Sequence, residues 1–252
     1  MNGDIDILGL MPCDMLLYHG GSAVSQLIQW FDGSEYSHSS IYDGEMVLEA
    51  IPDGVRRRSL KVSLADTLYV DVWRLRKEGN FIGSPELPSG PVLEVVGRYA
   101  GDGDRFAYEE VVLLALLCTS RRLPLPFLRW ALDSAASRLV DMADGGKEPM
   151  VCSELVYRCF SEAGKEYSPR ITGVDIRAKI EILHAPGQKE RKMKEADRVV
   201  AAFLDRYAAA KHLDSRDALL MAALEADPNF VTPKDLRKSP DFEKIGRLVL
   251  PS

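Results

Sequence analysis

The sequence predicts an α+β protein, with strands crowded into the first third and helices following. Three observations predict it. Runs of β-formers alternate with glycine- and aspartate-rich breaks between residues 15 and 75. Apolar residues recur at helical spacing from Pro91 onward. Between them, Asp43-Gly44 joins two apolar runs in the manner of a tight hairpin.

Met15-Leu16-Leu17-Tyr18 reads as a first strand, bounded by Pro12-Cys13-Asp14 and by Gly20-Gly21. Ser22 to Phe31 reads as a short amphipathic helix with Val24, Leu27, Ile28 and Phe31 on one side. The hairpin from Tyr36 to Ala50 follows, then a third strand at Gly54 to Arg58 and a fourth at Leu68 to Leu75. This part is mostly antiparallel sheet with one helix laid on it. Past the proline-rich break at residues 85–91, Pro91 opens a helix to about Tyr99. Tyr108–Thr119 and Phe127–Met142 read as further helices, split by Pro124-Leu125-Pro126. A loop at Asp144 to Pro149 leads to a helix from Met150 to Ala163 that Gly164 stops. Lys189 to Asp227 reads as two charge-dense surface helices, and Leu248-Val249-Leu250 as a short last strand.

The 252 residues suit a single domain (1–252) carrying a helical insertion at 165–228. A hydrophobic content of 46% and a charged content of 28% are those of a soluble globular chain. The net charge of -6 argues against general nucleic-acid binding. No zinc-type Cys/His spacing and no glycine-rich phosphate loop occur, so no cofactor is expected. The scattered Cys13, Cys118, Cys152 and Cys159 fit a reduced, cytoplasmic chain. The acidic start, Met1 to Asp6, lacks the look of a signal peptide, and Val111 to Cys118 is too short to span a bilayer.

The hairpin carries chemistry. With Asp43-Gly44 as a two-residue loop, Tyr42 faces Glu45 and His38 faces Glu49 directly, on one side of the ribbon. With Asp43-Gly44-Glu45 as the loop, His38 would face Ala50 and Glu49 would turn to the other side. The first register gives a base and a carboxylate to orient it. Cys152, three residues after Pro149, falls in the first turn of its helix, where the terminus favours a thiolate. Its backbone N–H can also face a developing oxyanion. Leu155 and Cys159, with Val151, stack beside Cys152, Val156, Phe160 and Ala163 to make one broad buried face. A cysteine on such a face also reads simply as a small core residue.

At these residues the chain resembles a known family. Cys13 to Tyr18, Ser25 to His38 and Val47 to Ala50 are similar to the YiiX/YaeF-like branch of the NlpC/P60 superfamily, the circularly permuted papain-like thiol hydrolases. Cys152 to Tyr157 resembles that family's nucleophile motif, and Phe230 to Leu236 the segment that follows it. The resemblance covers roughly residues 12–164 and 229–250. It implies a permuted papain-like α+β fold with the cysteine helix packed on an antiparallel sheet. It also implies Cys152 as nucleophile, His38 as base and Glu49 as orienting acid. The family usually has Gly-Asp where this chain has Cys13-Asp14.

The function expected is a cysteine hydrolase of amide or ester bonds, acting through an acyl-thioester on small peptides such as cell-wall fragments. Lipid acyl transfer or thioester cleavage is the alternative, as is a peptide-binding module without turnover. A peripheral membrane contact would fall on Leu123 to Trp130, with Arg121, Arg122 and Arg138 nearby. Cys13, Cys118 and Cys159 are expected to be structural, and His19, His184 and His212 bystanders.

Overall fold

Short β-forming runs whose side chains are buried on both faces build the sheet on which the rest depends. The computed structural model describes residues 3–21, 25, 29, 33–51, 54–65, 67–101, 105–107, 148–150, 152–171 and 231–249. Within them the strands are β1 (Asp4–Ile5), β2 (Met15–Gly20), β3 (His38–Tyr42), β4 (Val47–Ile51), β5 (Gly54–Arg58), β6 (Thr67–Lys77), β7 (Asn80–Phe81), β8 (Arg105–Ala107), β9 (Glu148–Met150) and β10 (Phe242–Leu248). The helices are α1 (Leu60–Ser63), α2 (Gly90–Gly101), α3 (Cys152–Ser161) and α4 (Pro233–Lys238). The expected mixture of sheet and helix is observed.

One eight-stranded sheet runs in the order β1-β10-β6-β2-β3-β4-β5, with β7 against β6, and β8 and β9 form a separate parallel pair. The contacts are antiparallel except that β1 lies parallel to β10. Side chains of period two divide between two clusters. Met15, Leu17, Ile41, Leu48 and Ala50 face α2, α3 and α4, whose Val92, Val95, Leu155, Val156, Phe160 and Leu236 complete the larger core. Leu16, Tyr18, Tyr42, Val47, Val70 and Val72 face the other way, toward Leu60 and Leu64.

Helix α3 buries Leu155, Val156 and Phe160, at roughly 1.5–3 kcal/mol each. That gain holds the helix on the sheet even though Ser153 and Glu154 are buried with it. Ser153 Oγ donates to Val231 O at 2.6 Å, and Arg158 Nε donates to Glu154 Oε1 at 2.9 Å one turn on.

Several expectations change. The helix expected from Met150 begins at Cys152, because residues 148–150 pair with Arg105–Ala107 as strand. The last strand is Phe242–Leu248 rather than 248–250. Residues 165–171, expected to open the helical insertion, form turns and irregular chain, and the rest of that segment up to 228 lies outside the described residues. So do the helices expected at 108–119, 127–142 and 189–227, the stretch at 123–130, and Cys118, His184 and His212. Of the helix expected at 22–31, Ser25 and Gln29 are described and helical.

Candidate active site

His38 opens β3, where its cross-strand neighbour is Tyr18 of β2. The two rings sit 5.1 Å apart, which fixes the imidazole against a buried phenol. Tyr18 Oη is itself tied to Ser40 Oγ at 2.7 Å and Ser63 Oγ at 2.9 Å. Burial pushes the Tyr18 phenol up to about 12, with the Glu49 charge adding to the rise.

The hairpin departs from the expected register. The ladder pairs Tyr42 with Val47 and Ile41 with Leu48, so the reversal comes one residue later than Asp43-Gly44 would put it. Asp43 causes this. Its Oδ1 accepts from Glu45 N at 2.9 Å and Met46 N at 2.8 Å, and its own N–H donates to Met46 O at 2.9 Å. The carboxylate thus takes the place of a backbone turn, and Arg57 Nε holds its other oxygen at 2.7 Å. Continued at this register, Glu49 faces Ser40, and the expectation that it faces His38 directly is corrected. Moving the turn by a whole residue shifts the pairing by two, which preserves the face. His38 and Glu49 remain on one side, now diagonal, and His38 Nε2 lies 3.0 Å from Glu49 Oε2.

Glu49 is a buried carboxylate with three partners. Ser63 Oγ donates to Oε2 at 3.0 Å, and Arg58 Nη1 donates to Oε1 at 2.9 Å. Burial pushes its acidity toward the neutral form, but the hydrogen bond and charge of His38, with Ser63 and Arg58, outweigh this. They hold the carboxyl below its ordinary range. The Glu49 side chain is 2% exposed and that of His38 23%, so the imidazole is the member of the pair that meets solvent.

Cys152 is the first residue of α3 and is fully buried. Its sulfur accepts from Ser39 N at 3.0 Å and from Ser39 Oγ at 3.2 Å. The Asp43–Met46 bond sets which residues of β3 aim their amides at β4: Ile41, then Ser39. Pairing between the two strands stops after Ile41↔Leu48. The Ser39 amide, which would face Ala50 next, is taken by the thiol. The sulfur therefore sits where β3 and β4 part, approached from the face of Leu17 and Ile41, while the His38–Glu49 pair lies on the face of Tyr18 and Ser40. The structure brings His38 and Glu49 into direct contact, and it brings Cys152 to the residue that follows His38.

Sequence reasoning missed Ser39, Ser63, Tyr18 and Arg58. Of these only Arg58 had a signal, the Arg56-Arg57-Arg58 run, in which residues of one parity share the Glu49 face. His19, expected to be a bystander, stacks on Tyr69 with ring centroids 4.4 Å apart, and its Nδ1 meets Glu35 O at 2.5 Å. Cys13 and Cys159 are buried free thiols, and burial pushes both upward, Cys13 to about 12. Among the described residues no group of three His, Cys, Asp or Glu side chains could hold a metal ion.

No family model matches this chain, and no curated protein does. Among solved structures it is similar to the crystal structure of the metalloprotein YiiX from Escherichia coli O157:H7, DUF1105, at 17% sequence identity and a TM-score of 0.44, over 98% of each chain.

Proposed function

We propose that this protein is a thiol hydrolase that cleaves an amide or ester bond through an acyl-thioester on Cys152, with His38 as base and Glu49 orienting it. One observation carries the reading: a histidine–carboxylate pair at 3.0 Å stands beside the strand residue that grips the sulfur of a helix-initial cysteine at 3.0 Å. The order of the motifs, histidine strand before cysteine helix, is that of circularly permuted papain-like enzymes of the NlpC/P60 type. The fold is read here as one such domain.

In the mechanism, Glu49 occupies His38 Nε2, so the acid–base work falls to Nδ1. Nδ1 takes the proton of Cys152 Sγ, and the thiolate attacks the carbonyl carbon, forming a C–S bond and an oxyanion. The N–H at the start of α3 faces that oxyanion. The imidazolium then protonates the leaving amine or alcohol as the C–N or C–O bond breaks. Water, deprotonated by His38, attacks the thioester, releasing the acid and restoring the thiol. The mechanism requires His38 Nδ1 to reach Cys152 Sγ where β3 and β4 part.

The test is turnover of small aryl esters and dipeptide amides, with rapid quenching and mass spectrometry of the Cys152 peptide. Cys152→Ala and His38→Ala are each expected to lower turnover by about a thousandfold, and Glu49→Gln by less. A mass increase equal to the acyl group is expected on Cys152. Full activity in Cys152→Ala overturns the reading.

A further inference from the structure

We propose that Ser39 holds the Cys152 sulfur as an anion, its backbone N–H and its hydroxyl forming a two-donor cradle built into the parting of β3 and β4. The proposal deepens the nucleophile reading and rests on it for its catalytic consequence. The geometry stands by itself. A backbone amide that strand pairing would ordinarily consume is turned to a sulfur at 3.0 Å, and the hydroxyl of the same residue reaches that sulfur at 3.2 Å. Both are donors, and the sulfur is fully buried. A neutral thiol is a weak acceptor and gains little from two such bonds, whereas a buried thiolate gains much.

Among the described residues, the charged groups on the neighbouring elements are engaged with partners of their own. On the hairpin, Glu49 is taken up by His38, Arg58 and Ser63. On α3 itself Glu154 is held by Arg158. On α4, Asp235 closes a capping box with Thr232. On α2, Arg98 pairs with Glu162, at the opposite end of α3 from the sulfur. His38 precedes Ser39 in β3, and its side chain leaves the strand on the other face from that of Ser39. Once His38 has taken the thiol's proton, the anion left behind is held by the two donors of Ser39. Ser39 is a positioning residue for the sulfur's charge, distinct from the triad.

A cradle of this kind raises the thiolate fraction near neutral pH and lowers the intrinsic reactivity of each thiolate. Removing it must move both quantities, in opposite senses. The experiment titrates the ultraviolet absorbance of the thiolate, taken as the difference between each protein and the same protein carrying Cys152→Ala. It also measures the alkylation rate by iodoacetamide on the high-pH plateau. Ser39→Ala is expected to raise the midpoint by about one pH unit, with about a tenfold loss of thiolate below it. The plateau rate rises about threefold. Ser39→Thr, which keeps the hydroxyl, restores the parent midpoint. Circular dichroism monitors folding, and Ser39→Gly replaces Ser39→Ala if the latter does not fold. An unchanged midpoint in the folded Ser39→Ala or Ser39→Gly protein overturns the proposal. So does a raised midpoint that Ser39→Thr does not restore. These readouts need no substrate, so failure of the hydrolase reading, seen as full turnover in Cys152→Ala, is told apart from failure here.

Discussion

At Cys13 the backbone takes φ +72°, a left-handed conformation that a β-carbon makes costly by about 1–2 kcal/mol. The resembled family usually places glycine there, and the strained angle supplies a physical reason for it. Cysteine persists because its side chain is fully buried in the larger core, with Sγ 3.7 Å from Ser89 O. Burial of so small a side chain gives about 1 kcal/mol, close to what the angle costs. Cys13→Gly should therefore leave stability within about 1 kcal/mol of the parent. Cys13→Ala keeps the strained angle while losing the sulfur, and should be less stable than Cys13→Gly. Denaturant midpoints check the order, and alanine equal to or above glycine would refute the strain argument. The same scale shows what could be read in advance. That His38 and Glu49 share a face and that Cys152 stands at a helix start were legible, because spacing fixes face and terminus. Ser39, Ser63 and Tyr18 were not, because hydroxyls are common in strands and gain their roles from contacts between distant segments: Ser39 lies 113 residues from Cys152.

Among the elements, the β3–β4 hairpin was legible in position and face but not in register. An Asp-Gly pair signals a turn without saying which of its residues stands first, and the Asp43 carboxylate decided that by capping two amides. Strand β10 was largely missed because Phe242–Leu248 carries Glu243, Lys244 and Arg247, which read as a solvated surface. Those charges have partners across the sheet. Lys244 Nζ and Arg247 Nε reach the buried Asp71 of β6 at 2.5 and 2.9 Å, and Tyr36 Oη donates to it at 2.6 Å. Gly246 follows a register shift in β10, and a β-carbon there would run into the carbonyl oxygen of Gly3. Close approach of β1 thus requires glycine. Gly246→Ala is expected to cost about 1–3 kcal/mol and to release β1. Thermal melting measures the first, and hydrogen exchange across residues 3–7 the second. An alanine variant as stable as the parent, with β1 still protected, would contradict the account.

For the whole molecule, the order of strands in space matters more than their order in sequence. β10, near the end of the chain, lies between β1 and β6, and β6 in turn pairs with β2 beside the candidate site. Residues 231–249 also supply Val231 O to Ser153 at the start of α3, and the buried Leu236 to the larger core. The chain on the near side of 172–230 is tied to the same region. Arg170 N and Nη2 donate to Asp241 at 2.7 and 2.6 Å, and Lys77 Nζ reaches Asp241 Oδ2 at 2.7 Å. The described chain on either side of 172–230 is therefore anchored, Arg170 at Asp241 just before β10 and Val231 at Ser153 of α3. Two deletions separate the roles. Ending the chain at residue 230 removes β10, leaves β1 without its partner strand, bares the edge of β6 and strips Asp71 of both cations. That protein is expected to lose cooperative unfolding, and a peptide of residues 231–252 added in trans should restore it. Replacing residues 174–228 with a Gly/Ser linker of about ten residues, enough to span about 30 Å, leaves every one of those contacts in place. It should melt cooperatively, and Cys152 in it should keep the parent's ionisation midpoint. Cooperative melting of the first protein without the peptide, or collapse of the second, would show that the sheet is not closed by its C-terminal strand.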